Sequence, residues 1–194
     1  MEIITSHIFD WLILLLLLLG ALYTMKVIGQ ENSSFRQDSY EVQFGSLSLK
    51  IANWWTLTEQ GPTRLKFERT DTHYDWYSIF SYFSDHGGKD LPKILEEKLN
   101  LEGIEFDSDV VFETDSRVLF RDDKTQEEFQ EIIRVEGKAT QNVVDRIYYD
   151  IYLTRRLNDN GYFIFESRSS VLNGSLEGPY FEESLSELSF ILES

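Results

Sequence analysis

The sequence predicts an α+β domain behind one N-terminal transmembrane helix: a mainly antiparallel sheet with helices packed on it, as an α/β/α sandwich. Three observations predict this. Residues 11–23 form an uncharged, Leu-rich run; a series of short segments alternates apolar and polar residues; and two later segments repeat their apolar residues at helical spacing. The resulting organisation is an N-terminal segment with its anchor over residues 1–29, a linker over 30–39 and a single globular domain over 40–194.

The apolar run gains Ile8 and Phe9 on one side and Met25, Val27 and Ile28 on the other. It thereby reaches roughly 20 residues, the length a helix needs to cross a hydrocarbon core. Asp10 and Lys26 bracket it. A cleaved secretory signal would open on a Lys- or Arg-bearing stretch, whereas only Glu2, His7 and Asp10 bring charge or a titratable ring here; a retained, bilayer-embedded anchor is therefore expected. Gly20 and Ala21 are the small residues of the span and let another helix approach closely, which makes them candidate partner contacts. Lys26 and Arg36 follow the run and no Lys or Arg precedes it. That bias favours a cytoplasmic domain at the cell membrane, by two residues, over an extracytoplasmic one.

Residues 30–39 are polar and aperiodic, so they read as a short linker. Residues 40–44 and 47–51 alternate around Gly45-Ser46, the pattern of a hairpin, with Leu47, Leu49 and Ile51 on one face. Residues 64–69 alternate through Leu65 and Phe67, and the aromatic, β-branched stretch 76–83 suits a buried strand. The period then changes. Leu91, Ile94, Leu95 and Leu99 recur at helical spacing, with Asp90 as N-cap, Pro92 in the first turn and Gly103 as terminator. Strands are expected again at 110–112, 117–120, 131–135, 147–153 and 162–167, the last two pairing across an Asn158-Asp159-Asn160-Gly161 turn. A closing helix is expected to start at Gly178-Pro179, with Phe181, Leu185, Leu188 and Ile191 as its apolar stripe.

Charge excludes several function classes. The chain holds 34 acidic against 18 basic residues, a formal net charge of −16, so nucleic acid and anionic lipid surfaces are repelled on average. No cysteine is present, which removes disulfides, thiolate metal sites and thiol nucleophiles. His73 and His86 each stand in a loop with carboxylates. If residues 76–83 form one strand, the 13 positions between the two histidines span about 40 Å, too far for one metal site, and two polar turns are the favoured reading. Asp107-Ser-Asp109 opens like a calcium loop, but the glycine at the sixth position and the glutamate at the twelfth are missing. Residues 121–130 are nearly all polar, so Asp122-Asp123 and Glu127-Glu128 read as a solvated loop rather than as acid/base pairs. No Ser-centred elbow, P-loop or Gly-x-Gly-x-x-Gly occurs. No cofactor, metal site or catalytic residue is expected.

Trp54 and Trp55 are adjacent, and successive side chains of an extended chain face opposite ways, so both cannot point into one core. They join Gly20 and Ala21 as candidate partner-binding residues.

The alternating strand around Phe44, Leu47, Leu49 and Ile51, running into Asn53-Trp54-Trp55, resembles the opening of PsbP-like, Mog-like and DcrB-like domains, although the proline of their Pro-x-x-Trp turn is missing here. The middle helix, the paired strands with Arg146-Ile-Tyr-Tyr and Gly161-Tyr-Phe-Ile-Phe, and the closing Leu188-Ser-Phe190 follow the same order over about residues 40–192. The resemblance implies the sandwich fold and a non-enzymatic role. The expected function is that of an accessory or assembly subunit of a larger membrane protein complex. The alternative is a chaperone-like or ligand-binding module that holds an apolar ligand or a partner's hydrophobic helix.

Overall fold

The computed structural model describes residues 2–70, 75–84, 88, 90–157 and 161–191. Its backbone contacts divide the chain into two units, Met1–Ser39 and Tyr40–Ser194. His73, His86 and the turn at 158–160 lie outside the described residues.

The first unit is one helix, α1 (Glu2–Asp38). Leucines occupy nearly every side of it between Leu12 and Leu19, and all of them are exposed. Within it, Phe9–Asp38 is the one helix among the described residues long and apolar enough to cross a membrane. Residues 30–38, read from the sequence as an irregular linker, continue the helix. Ser34, for example, donates to the Asp38 carboxylate at 3.1 Å, one turn on.

The second unit is α+β and antiparallel throughout. β1 (Tyr40–Phe44) and β2 (Leu47–Ile51) form the expected hairpin around Gly45, whose φ of +60° suits glycine. β3 (Trp55–Gly61), β4 (Arg64–Arg69) and β5 (Trp76–Ser84) follow as a meander. Helix α2 (Leu91–Glu102) starts after Asp90 and stops at Gly103 in the left-handed region (φ +63°). Next come β6 (Ile104–Phe106), β7 (Val111–Glu113), α3 (Ser116–Leu119) and α4 (Asp123–Glu128). Three long strands, β8 (Phe129–Gln141), β9 (Asp145–Arg156) and β10 (Gly161–Ser170), lead into α5 (Val171–Ser186) and the short β11 (Ser189–Phe190).

The strands build two sheets, β1-β2-β11 and β3-β4-β5-β10-β9-β8-β6, with β7 also on β8. Alternation along the long strands sorts their side chains onto two faces. On one face, Leu91, Ile94 and Leu95 of α2 pack against Ile133, Val135, Ile147, Ile151, Leu153 and Ile164. On the other, Phe181 of α5 meets Phe80 and Tyr152, and Phe44 of the small sheet meets Phe163 edge-on at 6.3 Å. This is the expected helix, sheet, helix layering.

Three local expectations change. Residues 117–120, expected as a strand, give their first three positions to α3, with Phe120 capping it, because Asp115 accepts from the Arg117 backbone N–H at 3.0 Å and starts a helical turn. The expected solvated loop at 121–130 contains α4: Asp122 accepts from the Thr125 N–H at 2.8 Å, and the hydroxyl of the buried Thr125 shares its one proton between the Asp122 carboxylate at 2.8 Å and the Leu188 carbonyl at 3.1 Å. The last helix starts at Val171 rather than at Gly178. Its Gly174, Gly178 and Pro179 are poor helix formers, and the packing of Gly174 onto the Tyr148 ring overrides them. The helix ends at Ser186, so Leu188 is buried beyond it and Ile191 donates its N–H to the Ser46 carbonyl at 2.9 Å.

Candidate functional site

The two tryptophans converge on one carboxylate. Trp55 starts β3 and is buried; Trp54, just before it, is half-buried and meets Tyr180 of α5 edge-on at 5.0 Å. Both indole N–H groups donate to Glu177 Oε2, at 2.9 Å from Trp55 and 3.3 Å from Trp54. Arg69, opposite Trp55 in the β3–β4 ladder, donates to Glu177 Oε1. Glu177 is fully buried on α5. A carboxylate taken out of water is tolerable only with such donors, so this box fastens α5 to the β3–β4 edge of the sheet. Trp76 stacks on Trp55 at 4.3 Å and donates to Ser167 at 2.9 Å, which completes the aromatic floor. The sequence offered the two rings and concealed their acceptor, because Glu177 lies more than a hundred positions away.

A second ionic group lies under the same helix. Arg134 of β8 is buried and donates to both oxygens of Asp150, at 3.2 and 3.1 Å, and to Glu136 at 2.7 Å and Glu182 of α5 at 3.3 Å. Burial pushes the Asp150 carboxyl up, to about 7, against the Arg134 charge and hydrogen bonds that favour its ionised form. Burial also raises the Tyr148 hydroxyl, helped by its hydrogen bond to Glu136. On the α2 face, burial opposes the charge of Lys98, and the carboxylates of Glu166 (2.9 Å) and Glu102 (2.6 Å) more than offset it and raise its pKa. These groups are tied to one another inside the domain and read as architecture. No three His, Asp or Glu gather as a metal-holding group among the described residues.

Two open clefts face outward instead. One, about 500 Å³, lies between the start of α2, β7 and β8. The other, about 460 Å³, lies between the end of α2 and the β8–β9 turn. Both are in the size range of binding sites. Neither was legible in the sequence, because each is lined by segments tens of residues apart. Gly20 and Ala21 sit on the exposed surface of α1; nothing lies within 4 Å of a Cβ built on Gly20, and Thr24 donates to its carbonyl at 2.9 Å.

No protein-family model matches the chain, and no curated protein does either. Solved structures are similar to it at low identity. The Ran-binding protein Mog1p of Saccharomyces cerevisiae is 9% identical, with 78% of this chain and 95% of that one covered and a TM-score of 0.48. The cyanobacterial PsbP of Synechocystis is 10% identical, with 79% and 91% covered and a TM-score of 0.47. A Bacteroides thetaiotaomicron protein is 12% identical with a TM-score of 0.46; 80% of this chain is covered, which spans about half, 48%, of that protein. A Mog protein and a PsbP protein, whose families the strand and helix order resembles, are thus among the solved structures to which this chain is similar.

Proposed function

We propose that this chain is a membrane-anchored accessory or assembly subunit that works through protein contacts and carries out no chemistry of its own. The observation that carries the reading is α1: a helix of spanning length, uncharged through its leucine run, with every described side chain of that run exposed. Such a surface is stable in lipid and costly in water. In this reading Gly20 and Ala21 mark where a partner helix approaches, and half-buried Trp54 adds a contact on the domain. The acidic surface faces partners that carry Lys and Arg, on the cytoplasmic side of the cell membrane.

The test is purification of the full chain from carbonate-washed membranes in mild detergent, with intact mass and quantification of co-purifying subunits. A full-length mass and stoichiometric membrane subunits are expected. Gly20→Leu should lower their recovery more than Leu15→Ile does at equal expression. A mature start near Leu22 or beyond, or a monodisperse lone protein, refutes the proposal.

A further inference from the structure

We infer that the cleft between the start of α2, β7 and β8 receives an extended segment of a partner protein, one that carries apolar side chains flanked by Lys or Arg. The inference rests on the reading that the chain works through protein contacts, and it names the chemistry of one such contact.

The argument begins with the sheet edge. β9 pairs with β8 along its length. On the opposite edge of β8, β7 pairs only with Arg134, Val135 and Glu136, and β6 only with Ala139, Thr140 and Gln141. Among the described residues, no strand covers that edge at Glu131, Ile132 and Ile133, and none pairs with the far side of β7. An uncovered edge presents backbone donors and acceptors that another extended chain can complete.

The cleft lies at this bare stretch. Apolar residues line it: Ile133, 6% exposed and on the α2 face, with Leu91 and Pro92 of α2, and the adjacent Ile132 of the same strand borders it. Phe112 of β7, 61% exposed, lines the cleft as well, and its neighbour Val111 is 52% exposed. Large apolar side chains on an open edge strand are a liability that folded proteins ordinarily remove, and here they stand beside a cleft of about 500 Å³. That volume takes one or two side chains of a strand and does not admit a whole helix.

Charge selects the flanks of the segment. The polar lining is Asp90, Thr114 and Glu131. Asp90 is exposed and, although it stands at the N-cap of α2, its side chain makes no capping hydrogen bond. Glu131 is half exposed and reaches Arg155 only at 3.6 Å. With a net charge of −16 behind it, the rim attracts cationic residues and repels acidic segments and anionic lipid.

The experiment uses the full chain in zwitterionic nanodiscs and a dye-labelled acetyl-Lys-Val-Leu-Val-Lys-amide, read by fluorescence anisotropy. Saturable binding is expected. Phe112→Ser should weaken it about tenfold through loss of an apolar anchor. Asp90→Asn, which keeps a good N-cap residue, should weaken it about two- to fivefold, an effect that disappears at high salt. Methylation of the central leucine nitrogen of the peptide should abolish binding if the segment joins the ladder. Equal binding of a control peptide, acetyl-Glu-Val-Leu-Val-Glu-amide, no binding of either peptide, no effect of Phe112→Ser in a folded variant, or a concentration-dependent dimer of the chain that Phe112→Ser dissolves would each overturn the inference. Loss of peptide binding while membrane subunits still co-purify sinks the cleft alone and leaves the accessory reading standing.

Discussion

Replacing Glu177 tests whether the indole and guanidinium box is what holds α5 on the sheet. Its carboxylate is fully buried and accepts from Trp55 at 2.9 Å, from Trp54 at 3.3 Å and from Arg69. Glu177→Gln keeps the shape, removes the charge, and turns an amide NH₂ toward groups that are themselves donors. Breaking a buried charge pair from one side costs about 3 to 5 kcal/mol, and Arg69, with a side chain 10% exposed, would lose the Glu177 carboxylate from its surroundings. The conservative amide retains one acceptor, so about 2 to 4 kcal/mol is expected, a large part of the stability of a domain this size. Glu177→Leu should cost more, since two indole N–H groups also lose their acceptor. Urea unfolding of the full chain in detergent, followed by tryptophan fluorescence, reports the change directly, because Trp54, Trp55 and Trp76 line the box. The pair also predicts non-additivity: Arg69→Met with Glu177→Leu should be less destabilised than the sum of the singles by more than about 1 kcal/mol. A loss under about 0.5 kcal/mol for Glu177→Gln, or additive singles, would refute the box as a fastening.

Other substitutions probe other layers. Leu185→Ala, at a fully buried position of α5, should cost about 2 to 5 kcal/mol in denaturant unfolding, and a change below about 0.5 kcal/mol would show that the helix stripe is not core. Gly174→Ala should destabilise by about 1 to 3 kcal/mol despite alanine's better helix propensity, because its Cβ would sit 2.3 Å from the Tyr148 ring; a raised melting temperature would contradict that packing. The hydroxyl and N–H of Thr125 hold the Asp122 carboxyl below its ordinary pKa, so this cap contributes stability above about pH 4 and loses it as pH falls through the lowered folded value. Asp122→Asn should therefore flatten the acid limb of the stability profile, and an unchanged limb would show that the charge plays no part.

The sequence by itself determined what depends on neighbours along the chain. The Leu-rich run gives α1 its apolar surface; alternation gives the β1–β2 hairpin and β4; aromatic and β-branched content gives β5; the Asn-Asp-Asn-Gly stretch separates the pair β9 and β10; and Asp90, Pro92 and Gly103 mark the ends of α2 through their own backbone preferences. Leu47, Leu49, Ile51, Phe181, Leu185 and Leu188 were legible as core for the same reason, and all are fully buried. Tertiary structure decided wherever local preference is weak or partners are remote. Residues 117–120 alternate like a strand, but two Asp caps and a buried Thr125 make their neighbourhood helical, and Gly174 tolerates a helix only because Tyr148 packs on it. The box of Trp54, Trp55, Arg69 and Glu177, and the cleft of Leu91, Phe112 and Ile132, bring together residues from separate strands and helices. Burial and pairing between distant segments leave no period in the chain, so these features exist only once the sheet has closed beneath its helices.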